Sequence, residues 1–196
     1  MSNKLYIKDT YHHIYNRGTL RSNIYFEDED FRYFLNRLRK YKDKYDIRIA
    51  AFCLMRNHYH ILAKQASNEF TIGKFIGDLQ NGYTKFINKK YKRTGVLFEG
   101  PAKTIFVKEK IYLNWIAEYI LLNPVEAKIV DSAKEWEYSS AYELLKEPKN
   151  MITSIVEQIE IYGSLTKASE EIKELTSKKY PKELGYVLRD VINLEG

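Results

Sequence analysis

Residues 47–64 read IRIAAFCLMRNHYHILAK, two apolar runs separated only by Arg56 and Asn57. So short a break predicts that 58–64 folds back on 47–55 as a β-hairpin, which commits the chain to an antiparallel sheet. The flanking segments then decide the fold class. Upstream, 11–17 (YHHIYNR) reads as a strand closed by Gly18. Between it and the hairpin, Glu27-Asp28-Glu29-Asp30 places acids at a helix start, and Phe31, Phe34, Leu35, Leu38, Tyr41 and Tyr45 form one apolar stripe. Downstream, Ile72, Phe75, Ile76, Leu79, Tyr83, Phe86 and Ile87 share a face of a helix over 71–91, and Gly95 ends the segment. A loop with Glu99, Gly100 and Pro101 leads to a short strand at 104–108 and a helix at 109–123 that Pro124 is expected to terminate. Strand, helix, strand, strand, helix, strand is the split βαβ order of an α+β, ferredoxin-like fold whose first and third strands are central neighbours. Residues 1–145 form the expected domain, and 146–196 a helical C-terminal extension.

The charge is unevenly placed. The formal net charge is +6; residues 81–110 contain Lys85, Lys89, Lys90, Lys92, Lys103, Lys108, Lys110 and Arg93 against Glu99 and Glu109, and so carry the whole excess. Tyr83, Phe86, Tyr91, Phe98 and Phe106 are interleaved, a mixture suited to neutralising phosphates and stacking bases. A solvated lysine-rich helix face would read the same way. No glycine pattern of a phosphate loop or dinucleotide site occurs, which argues against ATP or NAD chemistry. With a single Cys53, no long apolar run and no signal-like N-terminus, the expectation is a cytoplasmic protein that does not cross a membrane.

The four histidines fall as His12-His13 and His58-Tyr59-His60. On a strand, His58 and His60 point to one face about 6.5 to 7 Å apart, close enough to converge on one divalent ion. The bare motif leaves a metal pair and a structural pair both open. Tyr119 and Asn123, one turn apart on the last core helix, stack on one face. If that helix packs beside the histidine strand, Asn123 can complete the metal sphere and Tyr119 present a phenol next to a Lewis acid. With 17 tyrosines in the chain, a packed ring is the commoner fate of any one of them. Tyr83 fits the apolar stripe, whereas Tyr91 sits among Lys89, Lys90, Lys92 and Arg93. Alternation sends only one of His12 and His13 toward the other pair, and a structural or DNA-contacting role is expected of them.

Four ordered blocks carry a family resemblance: FCLMRNHYHIL (52–62), YTKFINKKYKRTGVLFEGPAK (83–103), EYILLNPVEAKIV (118–130) and WEYSSAYELL (136–145). Together with YHHIYNRG (11–18) they resemble the IS200/IS605-like single-tyrosine transposases of the HUH endonuclease type, and within them the REP-associated tyrosine transposases. The resemblance implies that His58 and His60 bind Mg²⁺ or Mn²⁺, with Asn123 where relatives carry a third polar ligand, and that Tyr119 is the catalytic tyrosine. It implies a single-stranded DNA endonuclease and strand transferase acting next to hairpins. Tyrosine attack would leave a 5′-phosphotyrosine and a free 3′-OH. Arg17, Arg56, Lys85, Lys89, Lys90, Tyr91, Lys92, Arg93 and Lys103 are the expected DNA contacts. Two blocks depart from the pattern: Arg56 stands where Pro is common, and FEGPAK replaces a WEGRFK-like block, removing an Arg from a DNA-facing loop. A domesticated hairpin-binding protein that does not cleave, and an RNA-binding ferredoxin-like module, remain as other readings. Monomer and homodimer are both open.

Overall fold

The computed structural model describes residues 7–146 and 151–176. Its core is a four-stranded antiparallel sheet of β1 (Tyr11–Arg17), β2 (Ile47–Met55), β3 (His58–Gln65) and β4 (Lys103–Val107), in the order β2-β3-β1-β4. β1 and β3 are central neighbours, as the split βαβ order requires. Helices α1 (Asp28–Lys44) and α2 (Ile72–Lys90) cover one face, and α3 (Ile111–Glu126) covers the other. Three further helices follow: α4 (Ser140–Lys146), α5 (Ile155–Tyr162) and α6 (Leu165–Lys173). Among the described residues, no helix is long and apolar enough to cross a membrane.

Strand alternation sorts the side chains into two layers. Ile14, Tyr59, Ile61 and Ala63 join Phe34, Leu38, Phe75, Leu79 and Tyr83 beneath α1 and α2. Tyr11, Tyr15, Cys53, Met55 and Leu62 pack with Leu113, Ile116, Tyr119 and Ile120 of α3. In β2 a bulge between Ile49 and Ala51 shifts the alternation, so that Phe52 and Leu54 rejoin the α1/α2 layer.

Pro124 does not end α3, which continues to Glu126. Proline removes the hydrogen bond to the Ile120 carbonyl, but Leu121, Leu122 and Val125 are held against α4 and α6 by an apolar cluster with Ala141, Ala168 and Ile172. The Pro124 carbonyl also accepts from the Ile129 amide at 2.9 Å. Asn123 therefore lies inside a continuous helix rather than at its frayed end.

The outer edge of β2 is closed by the segment WEYSSAY. Trp136 Nε1 donates to the Leu54 carbonyl at 2.8 Å, the Leu54 amide donates to the Tyr138 carbonyl at 3.0 Å, and the Phe52 amide donates to Ser140 Oγ at 3.0 Å. Such cover protects an edge that would otherwise pair with other chains. The described part of the C-terminal extension docks at the bulge: the Ser154 amide donates to the Ile49 carbonyl at 2.7 Å, and Gln158 Nε2 donates to the Ala50 carbonyl. Buried Glu157 accepts from the Tyr11 hydroxyl and faces Arg48 and Lys64. Residues 147–150 and 177–196 of the expected extension lie outside the described residues.

Candidate active site

On the α3 face, β1 and β3 place His13, Tyr15 and Arg17 beside Leu62, His60 and His58, since the register pairs Tyr15 with His60 and Arg17 with His58. Tyr119 lies edge-on to both His60, at 5.8 Å between ring centroids, and His13, at 6.2 Å. One turn on, Asn123 Oδ1 is 3.2 Å from His58 Nε2. Tyr119, Asn123, His58 and His60 thus converge, all of them buried.

The hydrogen bonds around His58 fix its lone pair. Asn57 Oδ1 lies 2.6 Å from His58 Nδ1. An amide oxygen only accepts, so Nδ1 carries the proton. Asn57 is held in that orientation because its Nδ2 donates to the Arg21 carbonyl, at 3.4 Å. Burial, with the Arg17 charge adding to it and the Asn123 contact opposing, holds the His58 pKa down to about 4, so the ring is neutral and Nε2 presents a lone pair. Asn123 Oδ1 presents another, because Asn123 Nδ2 donates to the Tyr119 carbonyl at 3.0 Å. Two acceptors face each other with no proton between them.

His60 adds a third. Its Nε2 is buried without a hydrogen-bond partner among the described residues, and burial, with His58 and His13 as neighbours, drives its pKa well below the ordinary 6.5. Neutral imidazoles and an amide oxygen are donors that a divalent cation can use. Cis ligands at about 2.1 Å in an octahedron sit about 3 Å apart, close to the 3.2 Å between His58 Nε2 and Asn123 Oδ1. The residues fit such an ion. Among the described residues no group of three or more His, Cys, Asp or Glu side chains could hold a metal.

His13 is the member of the first pair that reaches the site. Its Nε2 lies 3.1 Å from His60 Nδ1, and burial brings its pKa down to about 3. His12 faces the other layer, with Nε2 3.0 Å from Thr10 Oγ1 and its ring against Phe106. Sequence reasoning missed Asn57 and the specific contact of His13. Asn57 had a signal, an acceptor side chain immediately before the first histidine; His13 needed the β1/β3 register.

The cations divide. Arg56 is exposed at the rim of a cavity of about 300 Å³ lined also by Met55, Asn57, His58, Asn123, Glu126 and Ile129. Arg17 Nε pairs with Glu99 at 2.7 Å, tying the FEGPAK loop to β1. Exposed Lys103 lies with its Nζ 5.7 Å from the Tyr15 ring centre. These three neighbour the histidines. Lys85, Lys89, Lys92 and Arg93 belong to α2 and its end, in the layer behind the sheet; the three lysines are exposed and Arg93 lies over Phe26. Lys90 is held by Glu27, Glu29 and Asp30 at 2.5 to 2.8 Å. The Tyr91 hydroxyl donates to Asp30 at 2.7 Å, and burial followed by Asp30 pushes its pKa up to about 12. Lys90 and Tyr91 anchor α2 to the start of α1. Tyr83 is a core ring whose hydroxyl donates to the Ile24 carbonyl at 2.7 Å.

Comparison with known proteins places the chain in a family. The sequence profile described as "Transposase IS200 like" matches residues 6–121, more than half of the chain, and the chain belongs to that family. The match includes His58, His60 and Tyr119 and stops two residues before Asn123. A putative REP-associated tyrosine transposase from Haemophilus influenzae is 25% identical over 154 residues, 67% of this chain and 87% of that one. Among solved structures, a REP-associated tyrosine transposase bound to a REP hairpin superposes with a TM-score of 0.63 at 15% identity, over 79% of this chain and 90% of that chain. A putative transposase from Deinococcus radiodurans gives a TM-score of 0.43 at 17% identity, over 61% of this chain and 95% of that one.

Proposed function

We propose that this transposase-family chain cuts and rejoins single-stranded DNA next to a hairpin, with Tyr119 as nucleophile and Mg²⁺ or Mn²⁺ held by His58, His60 and Asn123. The observation that carries the reading is the pair of facing lone pairs, His58 Nε2 and Asn123 Oδ1, 3.2 Å apart one helical turn from Tyr119. When bound, the cation supplies Lewis-acid withdrawal of charge from the scissile phosphate.

This chain's own residues do the rest. α3 holds the Tyr119 ring against His60 and His13, so the phenol is positioned before substrate arrives. Its oxygen attacks phosphorus, the P–O3′ bond breaks, the phenolic proton is lost to solvent, and the departing 3′ oxygen takes up a proton. Tyr119 then carries the downstream strand by its 5′-phosphate. Attack by a 3′-OH reverses the step, so rejoining needs no other energy source. Arg56, Arg17 and Lys103 surround the site and suit the phosphates next to the break, and Arg56 shares a cavity with His58 and Asn123. Lys85, Lys89, Lys92 and Arg93 suit a more distant part of the DNA. A hairpin partner is supported by the REP hairpin on the structural neighbour. α3 packs on its own chain's histidine strand, so cleavage by a single protomer is possible.

The test is a denaturing-gel assay on 3′-labelled single-stranded hairpin DNAs with Mn²⁺ or EDTA. The expected result is a slow-migrating covalent band that requires Mn²⁺ and vanishes in Tyr119→Phe. A band that persists in that variant would overturn the assignment of the nucleophile. DNA binding without any band in the wild type would favour a hairpin-binding protein that does not cleave.

A further inference from the structure

The two histidines are oriented differently. His58 is locked, because Asn57 Oδ1 accepts from its Nδ1 and cannot donate. His60 Nδ1 instead meets a second imidazole, His13 Nε2, at 3.1 Å. One proton lies between those nitrogens, and either ring can supply it. If His13 donates, the His60 proton sits on Nε2 and that atom cannot coordinate. If His60 donates, its Nε2 carries a lone pair and the proton of His13 moves to Nδ1. His60 Nε2 and His13 Nδ1 are both buried with no hydrogen-bond partner among the described residues, so neither arrangement is fixed from outside the pair.

We propose that His13 is a positioning residue for the divalent cation: by accepting from His60 Nδ1 it holds His60 in the one tautomer that can bind. The inference rests on the metal reading above. It adds that cation and proton positions are linked: a cation at His60 Nε2 selects the arrangement in which His13 accepts, while the free protein divides between the two. Affinity is reduced by the fraction of molecules in the other tautomer. Partners that orient a ligand in this way typically change metal affinity about 10- to 100-fold when removed.

The test combines Mn²⁺ titration by electron paramagnetic resonance with nitrogen-15 NMR of the histidine rings in Mg²⁺. His13→Phe, which keeps a ring and loses the acceptor, should bind Mn²⁺ about 10- to 100-fold more weakly. His13→Gln, which restores an acceptor, should recover most of that loss. The wild type should show His13 protonated at Nδ1 and not at Nε2 once Mg²⁺ is added, whereas without metal both His13 nitrogens carry the proton part of the time, a change that a merely structural role for His13 would not produce. Should His13→Phe fail to fold, the wild-type spectrum decides alone. Mn²⁺ affinity unchanged in a folded His13→Phe, or His13 protonated at Nε2 with Mg²⁺ bound, would overturn the proposal while leaving the metal site standing. If His58→Ala and His60→Ala bind Mn²⁺ as the wild type does, the metal reading falls and this inference with it.

Discussion

On one face of the sheet, Ile14, Tyr59 and Ile61 meet Phe34, Phe75 and Tyr83 in a dry aromatic core. On the other, the neighbouring residues of the same two strands are His13, His58 and His60, as deeply buried, with His13 Nδ1 and His60 Nε2 lacking a hydrogen-bond partner among the described residues. The backbone is shared, and the period of two alone separates the faces. The first face uses burial to stabilise the fold. On the second, burial keeps the imidazoles neutral and leaves polar atoms unpartnered, an arrangement that costs stability and that a bound cation would offset.

That contrast can be broken by mutation. Phe34→Ala, at a fully buried ring touching Tyr25, Tyr59 and Tyr83, should cost about 3–5 kcal/mol in urea unfolding and leave the Mn²⁺ affinity of the folded protein unchanged. An equal loss of metal affinity would show that the faces are not independent.

Asp30 tests the rim of the aromatic face. Burial alone would raise its carboxyl, but Lys90, Tyr91 and the amides of Phe26 and Glu27 outweigh that and hold it below the ordinary 3.8. A depressed native pKa contributes stability that is complete above the unfolded value and is lost as pH falls through the native one. Asp30→Asn should therefore cost about 1.5–3 kcal/mol at pH 7, and the deficit should shrink below about pH 4 in unfolding curves taken across the acid range.

On the polar face the sign differs. The double variant His13→Leu/His60→Leu removes both partners of one hydrogen bond, so without metal its stability should lie within about 1 kcal/mol of wild type. The rise in Tm that Mn²⁺ gives the wild type should disappear. The smallest effect belongs to the surface: Lys103→Ala should weaken DNA binding a few-fold and reduce the slope of log K against log salt by about 1, as measured by fluorescence anisotropy.

Most of this was legible in the chain. The short Arg56-Asn57 break fixed the hairpin, and the helical stripes fixed which residues α1 and α2 bury. His58 could be paired with His60, and Tyr119 with Asn123, because spacing on a strand or helix is a local property; their roles came from the family resemblance. Three features were not local. Pro124 reads as a stop, yet Leu121, Leu122 and Val125 pack well enough to carry the helix through it. Lys90 and Tyr91 stand in a basic stretch, and only the packing of α2 on α1 brings them to Asp30. The contact of His13 with His60 depends on the β1/β3 register, which residue spacing does not encode.

The most direct measurement is a crystal structure of the protein in Mn²⁺ with diffraction recorded at the manganese edge. The account predicts one strong anomalous peak within bonding distance of His58 Nε2, His60 Nε2 and Asn123 Oδ1, beside the Tyr119 ring. No peak there at saturating Mn²⁺, or a peak bound to other side chains, would contradict it.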